Sequence, residues 1–164
     1  MSALENKRKE VFKEFKENAK TAADYKKELQ DLVNWIVKEI DKDLPCISHP
    51  EHKSFLRFDA GHFWGVGAHG CLRFNFHNIH KQNSEANQRY GGNADFANGL
   101  KTRFGTEYLT MVLGFPLKFK GTSKNFSIPN LKEWIRKATY LKMQIKQGEI
   151  FTRDQLNKYL GIYE

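Results

Sequence analysis

Ten residues, Gly61 to Gly70, hold four of the chain's 12 glycines. A helix does not persist through that density of glycine, so the segment reads as a loop. Short runs of strand character stand on either side. Phe55-Leu-Arg-Phe-Asp-Ala60 is one. Cys71-Leu-Arg-Phe-Asn-Phe76 is the other, with Leu72, Phe74 and Phe76 alternating against Arg73 and Asn75. The pair predicts a long-looped β-hairpin. A short helix is predicted from about Ser84 to Arg89, broken by Gly91-Gly92.

The rest of the chain carries helical spacing. Ser2 and Glu5 stand at capping-box distance, and Val11, Phe12, Phe15 and Ala19 follow as a stripe. A second stripe runs Leu29, Leu32, Val33, Ile36, Ile40. Thr21-Ala-Ala-Asp24 between the two predicts a second N-cap and a break near residue 21, and Pro45 ends the helical region. Residues 94–114 are again helical, interrupted at Gly105, and 115–128 read as a loop containing Pro116 and Gly121. Pro129 suits a helix's first turn. Leu131, Trp134, Ile135, Ala138, Leu141 and Ile145 then mark a helix to about residue 147. Thr152 and Gln155 repeat the capping-box spacing before a last helix that ends at Gly161. Trp35 and Trp134 sit on helical stripes and are expected in the core. The expected class is α+β: an N-terminal helical arm over residues 1–44, then a domain over 45–164.

Charge divides at the same place. Residues 1–45 are neutral, so the whole net charge of +8 lies in residues 46–164. A basic globular part with interleaved aromatics suits a polyanion such as DNA, and equally suits solubility. No apolar run approaches the roughly 20 residues of a membrane span. MSALENKRKE offers no apolar signal region, so a cytoplasmic protein is expected. Two cysteines, Cys46 and Cys71, make no disulfide framework. No GxxxxGK[ST] loop suggests nucleotide hydrolysis.

All six histidines, His49, His52, His62, His69, His77 and His80, fall within 32 residues. That concentration suits a metal site, or a nuclease in which one imidazole activates water. Taken singly, each also reads as a polar side chain on the protein surface. His52, His69 and His77 are given no role and are expected at the surface or in packing.

The ordered pieces AGHF, VGAH, LRFN, HNIHKQ and GGN, followed by GL and FGTEYL, resemble the NinG (Rap) family of phage recombination nucleases, within the HNH or His-Me finger superfamily. The resemblance spans about residues 30–145. It implies a small ββα-metal core: a hairpin bearing a catalytic histidine, then a helix bearing a metal ligand. By that resemblance His62 is the general base at the end of the first strand. Asn78 is the middle asparagine, orienting the imidazole or bracing the loop. Asn87 is the metal-binding position on the short helix, and Asp59 or His80 completes the metal shell. The superfamily usually sets that carboxylate directly before the histidine, where this chain has Gly61. Mg²⁺ or Mn²⁺ is the implied cofactor, held by oxygen donors and water.

The chain departs from the family at the two cysteine pairs that bind a structural zinc in many members. Cys46 and His49 stand at the first pair. Asn83 and Ala86 stand at the second, and Ala86 cannot coordinate, so a four-ligand structural zinc is not expected. Arg57, Arg73, Lys81, Arg89, Lys101 and Arg103 surround the site in sequence and are the expected phosphate contacts, although each alone also reads as a solvated charge. Gly91-Gly92-Asn93 suits either close backbone approach to phosphate or a plain turn.

The function this implies is metal-dependent cleavage of branched DNA, such as Holliday junctions or D-loops, in phage recombination. The alternatives are an altered nuclease fold that binds DNA without cutting, and a helix-mediated interaction subunit. The arm is expected to form the seam of a homodimer, or else to pack on its own domain.

Overall fold

The computed structural model describes residues 3–51, 57–89 and 93–163; within these, the side chains of residues 3, 4, 13–18, 88, 89 and 93 lie outside the described set. Helix α1 (Ala3–Asn18) is followed by α2 (Ala22–Ile40). The break falls where the capping signal predicts it. Thr21 Oγ1 accepts the Asp24 N–H at 3.3 Å, and Asp24 Oδ2 accepts the Thr21 N–H at 2.8 Å, so each end of the turn caps the other.

Strands β1 (Phe58–His62) and β2 (Ile79–Asn83) pair antiparallel, with Phe58 opposite Asn83 and His62 opposite Ile79. Helix α3 (Ser84–Arg89) follows directly, as expected, so the local order is strand, strand, helix. The second strand is not where the alternation of residues 71–76 predicts it. Those residues form 3-10 turns at Gly70–Leu72 and Phe76–Asn78. The reason is that the alternating apolar residues do not share one face. Leu72 enters one hydrophobic cluster while Phe74 and Phe76 enter another, and the Asn75 side chain between them is itself buried. The true strand, Ile-His-Lys-Gln-Asn, is buried along its whole length and shows no apolar alternation to read. Of the residues expected in the first strand, Phe58 to Ala60 lie in it, and Phe55 and Leu56 lie outside the described residues.

Helix α4 (Asn93–Phe104) and helix α5 (Thr106–Lys118) meet at Gly105, whose φ of 93° explains the interruption. Helix α5 continues through Pro116, where a loop is expected. Pro116 has no N–H to offer the Val112 carbonyl four residues back. The indole Nε1–H of Trp64 donates to that carbonyl at 2.8 Å instead. Helix α6 (Ile128–Lys146) carries Pro129 in its first turn, and α7 (Arg153–Leu160) has the full Thr152–Gln155 capping box and ends at Gly161, φ 73°.

Two clusters make the core. One joins α2, the ribbon, α6 and α7 through Leu29, Val33, Ile36, Ile79, Leu141 and Leu156. The other joins Ile47, Phe63, Leu72, Phe96, Leu100 and Val112. Trp134 is buried in the first and Trp35 packs against it. Because α2 lies inside this core, residue 44 does not divide two packing units. Helix α1 turns Val11 and Phe12 outward, 59% and 60% exposed. Among the described residues no helix is long and apolar enough to cross a membrane.

Candidate functional site

His62 ends β1 at the mouth of the glycine-rich loop and is half-buried. Its Nε2 lies 3.0 Å from the carbonyl oxygen of Arg73. A carbonyl can only accept, so Nε2 carries the proton. Burial lowers the pKa of the ring, although the carbonyl bond opposes that shift. The neutral ring therefore holds its lone pair on Nδ1, which has no hydrogen-bond partner among the described residues.

Asn78 immediately precedes β2 and is fully buried. Its Oδ1 accepts the Trp64 N–H at 2.8 Å. Its Nδ2 donates to the Trp64 carbonyl at 3.1 Å and the Leu72 carbonyl at 3.3 Å. Its own carbonyl accepts the Phe63 N–H at 2.9 Å. One amide side chain thus ties both ends of the loop between His62 and Arg73. It braces the loop, and among the described residues no hydrogen bond joins it to the imidazole.

Asp59 and Gly61 share the ribbon face opposite to His62. A side chain at 61 would run into that of Gln82, so a carboxylate directly before the histidine has no room, and Asp59 offers one two residues earlier on the same face. Asp59 is half-buried, with Arg57 Nε 3.9 Å away. Asn87 is exposed on α3. His80 stands opposite Gly61 in the ribbon, beside His62, but is closed off from solvent. It is fully buried against the rings of Phe96, Phe104 and Tyr108, and Nε2 lies 3.2 Å from the His77 carbonyl. Burial holds its pKa well below the usual imidazole value. Among the described residues no three His, Cys, Asp or Glu side chains gather as a metal cage.

The six basic residues divide. Arg57 and Lys101 are exposed. Arg73 is half-buried and donates to Gln30 Oε1 at 3.2 Å. Lys81 is buried: its Nζ donates to the Lys42 carbonyl at 2.7 Å, over the Phe58 ring, so it is a structural cation and not a surface one. Arg103 donates to the Pro45 carbonyl at 2.8 Å and is half-buried. The side chain of Arg89 lies outside the described residues, as do Gly91 and Gly92.

One residue from each of the two cysteine-pair positions meets the other, Cys46 and Asn83. Cys46 Sγ accepts the Asn83 N–H at 3.2 Å. Asn83 Oδ1 accepts the N–H groups of Glu85 and Ala86, at 2.9 and 3.0 Å, and so caps α3.

Sequence reasoning misses the supports behind the ribbon. Arg153, the first residue of α7, donates to the buried carboxylate of Asp41 at 2.7 Å, to the Phe76 carbonyl at 3.0 Å and to the Ile79 carbonyl at 3.2 Å. The same Asp41 oxygen accepts the Lys81 N–H of β2 at 3.0 Å. His77, expected at the surface or in packing, is buried and held between Asp154 at 3.0 Å and the Tyr108 hydroxyl at 3.0 Å. Burial lowers its pKa, and the Asp154 carboxylate opposes that. Asp41 and Arg153 are 112 positions apart, and no local pattern marks such a pair.

A family model described as Bacteriophage Lambda NinG protein matches residues 2–149. The protein ninG of Escherichia phage lambda is 46% identical over 67 residues, covering 41% of this chain and 32% of that relative. The ninG proteins of Enterobacteria phage H19B and Salmonella phage P22 are each 45% identical over 67 residues, again 41% of this chain, and 33% and 32% of those relatives. The chain thus spans about a third of the length of the curated relatives it matches. No solved structure matches.

Proposed function

The chain belongs to the NinG family of bacteriophage proteins, and we propose that it is a metal-dependent endonuclease acting on branched DNA in phage recombination, with His62 as general base. The observation that carries this reading is the bond from His62 Nε2–H to the Arg73 carbonyl. It selects the tautomer whose free nitrogen, Nδ1, can take a proton from water, and burial keeps that nitrogen neutral near pH 7. Asn78 holds the loop that supplies the carbonyl. The strand–strand–helix order of β1, β2 and α3 is the arrangement a ββα-metal core requires.

Arg57 and Lys101, being exposed, hold phosphate in this reading and position DNA without reading sequence. Asp59 and Asn87 are solvent-reachable oxygen donors, which suits a divalent ion that keeps most of its water, Mg²⁺ or Mn²⁺. Held there, such an ion supplies charge stabilisation for the pentavalent phosphorus and the leaving 3′ oxygen. A four-ligand zinc has no place in the reading, because Ala86 offers no donor and Asn83 Oδ1 is taken by two backbone amides.

Cleavage of labelled four-way junction, flap and linear duplex, with Mg²⁺ or Mn²⁺, tests the proposal. Wild-type protein should cut the branched substrates and His62→Ala should bind them uncut. Wild-type protein that binds but cuts none of the three would make the chain a DNA-binding module.

A further inference from the structure

The carbonyl that orients His62 belongs to the peptide unit between Arg73 and Phe74. The N–H at the other end of that unit, on Phe74, donates to the hydroxyl oxygen of Tyr163 at 3.0 Å. Tyr163 follows α7 and lies beyond residues 2–149, the segment matched by the family model. Its ring packs edge-on to Phe119 at 5.1 Å and is buried enough that the phenol stays protonated throughout the usual pH range. A peptide plane is rigid, so fixing its N–H fixes the direction of its C=O. A donor–acceptor chain therefore runs from the Tyr163 oxygen, through one peptide unit, to His62 Nε2, with bonds of 3.0 Å at each end. Bonds in such a chain polarise one another, each strengthening the next.

We propose that Tyr163 is a positioning residue for His62, acting through the Arg73–Phe74 peptide to hold the imidazole in one tautomer and one orientation. Its consequence for catalysis rests on the nuclease reading above; its consequence for the imidazole does not. Neighbouring contacts place the peptide where the hydroxyl can reach it. Asn157 Oδ1 accepts the Phe76 N–H at 3.0 Å, and Arg153 donates to the Phe76 carbonyl. The C-terminal residues thus grip the connector between the loop and β2 at successive points. Of these contacts, the one from the Tyr163 hydroxyl is made to the peptide that touches His62.

Tyr163→Phe in the full chain tests this, since it deletes one oxygen and keeps the ring. Nitrogen-15 spectra of the histidines at pH 7.5 should show wild-type His62 as a single Nε2–H tautomer and the variant as a mixture. The kcat on a four-way junction should fall roughly 3- to 10-fold, the range one neutral hydrogen bond commands, with KM unchanged and the thermal midpoint lowered by only a few degrees, so that the protein stays fully folded in the assay. A variant with the wild-type tautomer signature and wild-type kcat would overturn the proposal, as would a loss of kcat matched by equal loss of folded protein. Hydrogen exchange in the wild type gives a check that needs no variant: the Phe74 amide should be protected, and rapid exchange there would count against the bond. Should wild-type protein cut no DNA at all, the nuclease reading falls, while the tautomer comparison still decides the role of Tyr163.

Discussion

A single imidazole carries the proposed chemistry, and its surroundings set its pH behaviour. Burial holds His62 below the usual imidazole value of about 6.5, so the ring is neutral at pH 7. Cleavage should therefore persist through mild acid and decline only as the pH falls below that depressed value. A pH–rate profile of kcat whose acidic limb lies above 7 would contradict the assignment. Replacing His62 by Ala should cost roughly 10²- to 10⁴-fold in cleavage rate, the usual worth of a general base, with DNA affinity retained. Asn78 lies near it without sharing its chemistry: every polar atom of that side chain is spent on the loop backbone. The motif order singled out both residues. What it left open, whether Asn78 orients the ring or braces the loop, depended on which carbonyls the fold delivers.

At the scale of elements, two contacts join segments that no local pattern relates. Pro116 leaves the Val112 carbonyl without its helical partner, and Trp64 from the glycine-rich loop fills the gap. Arg153 at the start of α7 neutralises Asp41 at the end of α2, with both side chains nearly or fully buried. Arg153→Met should destabilise the protein by about 3–5 kcal/mol, because it strands a buried carboxylate; denaturant unfolding measures this. The phosphate-contact set divides by element as well. Arg57→Ala, just ahead of β1, should weaken DNA binding and reduce its salt dependence by about one ion. Lys81→Ala, within β2, should leave the salt slope unchanged and lower stability instead, since its ammonium already serves the Lys42 carbonyl. Equilibrium binding titrations across a salt series separate the two.

At the scale of the molecule, acid should unfold this protein early. His80, His77 and His62 are all held below the ordinary imidazole pKa by burial, His80 most strongly. The unfolded chain binds protons at about 6.5, whereas the folded chain resists them, so stability is full above that pH and is lost as pH falls beneath it. Calorimetric melting should give a midpoint that is flat above pH 7 and drops between pH 6.5 and 5. His80→Asn should flatten that drop even if it lowers the plateau. The arm sets a second whole-molecule property. With Val11 and Phe12 exposed on α1, we expect a homodimer in which α1 supplies the seam. Light scattering should show two chains at micromolar concentration and one after removal of residues 1–18. A monomer in both cases ends that expectation.

Local signals determined much of this chain. Capping boxes at Thr21 and Thr152, glycine at 105 and 161, and apolar stripes along α2 and α6 place helices because each acts within a turn or two of itself. The order of histidine and asparagines marked His62, Asn78 and Asn87, since those spacings are themselves sequence. Tertiary structure decided the rest. It moved the second strand from residues 71–76 to Ile79–Asn83, because a strand is defined by its partner and the buried partner-facing residues are polar. It withdrew His80 and Lys81 from solvent, and it delivered Arg153 and Tyr163 to a connector more than 70 positions away. Burial and long-range hydrogen bonds are properties of where chain segments meet, and residue spacing alone does not encode that meeting.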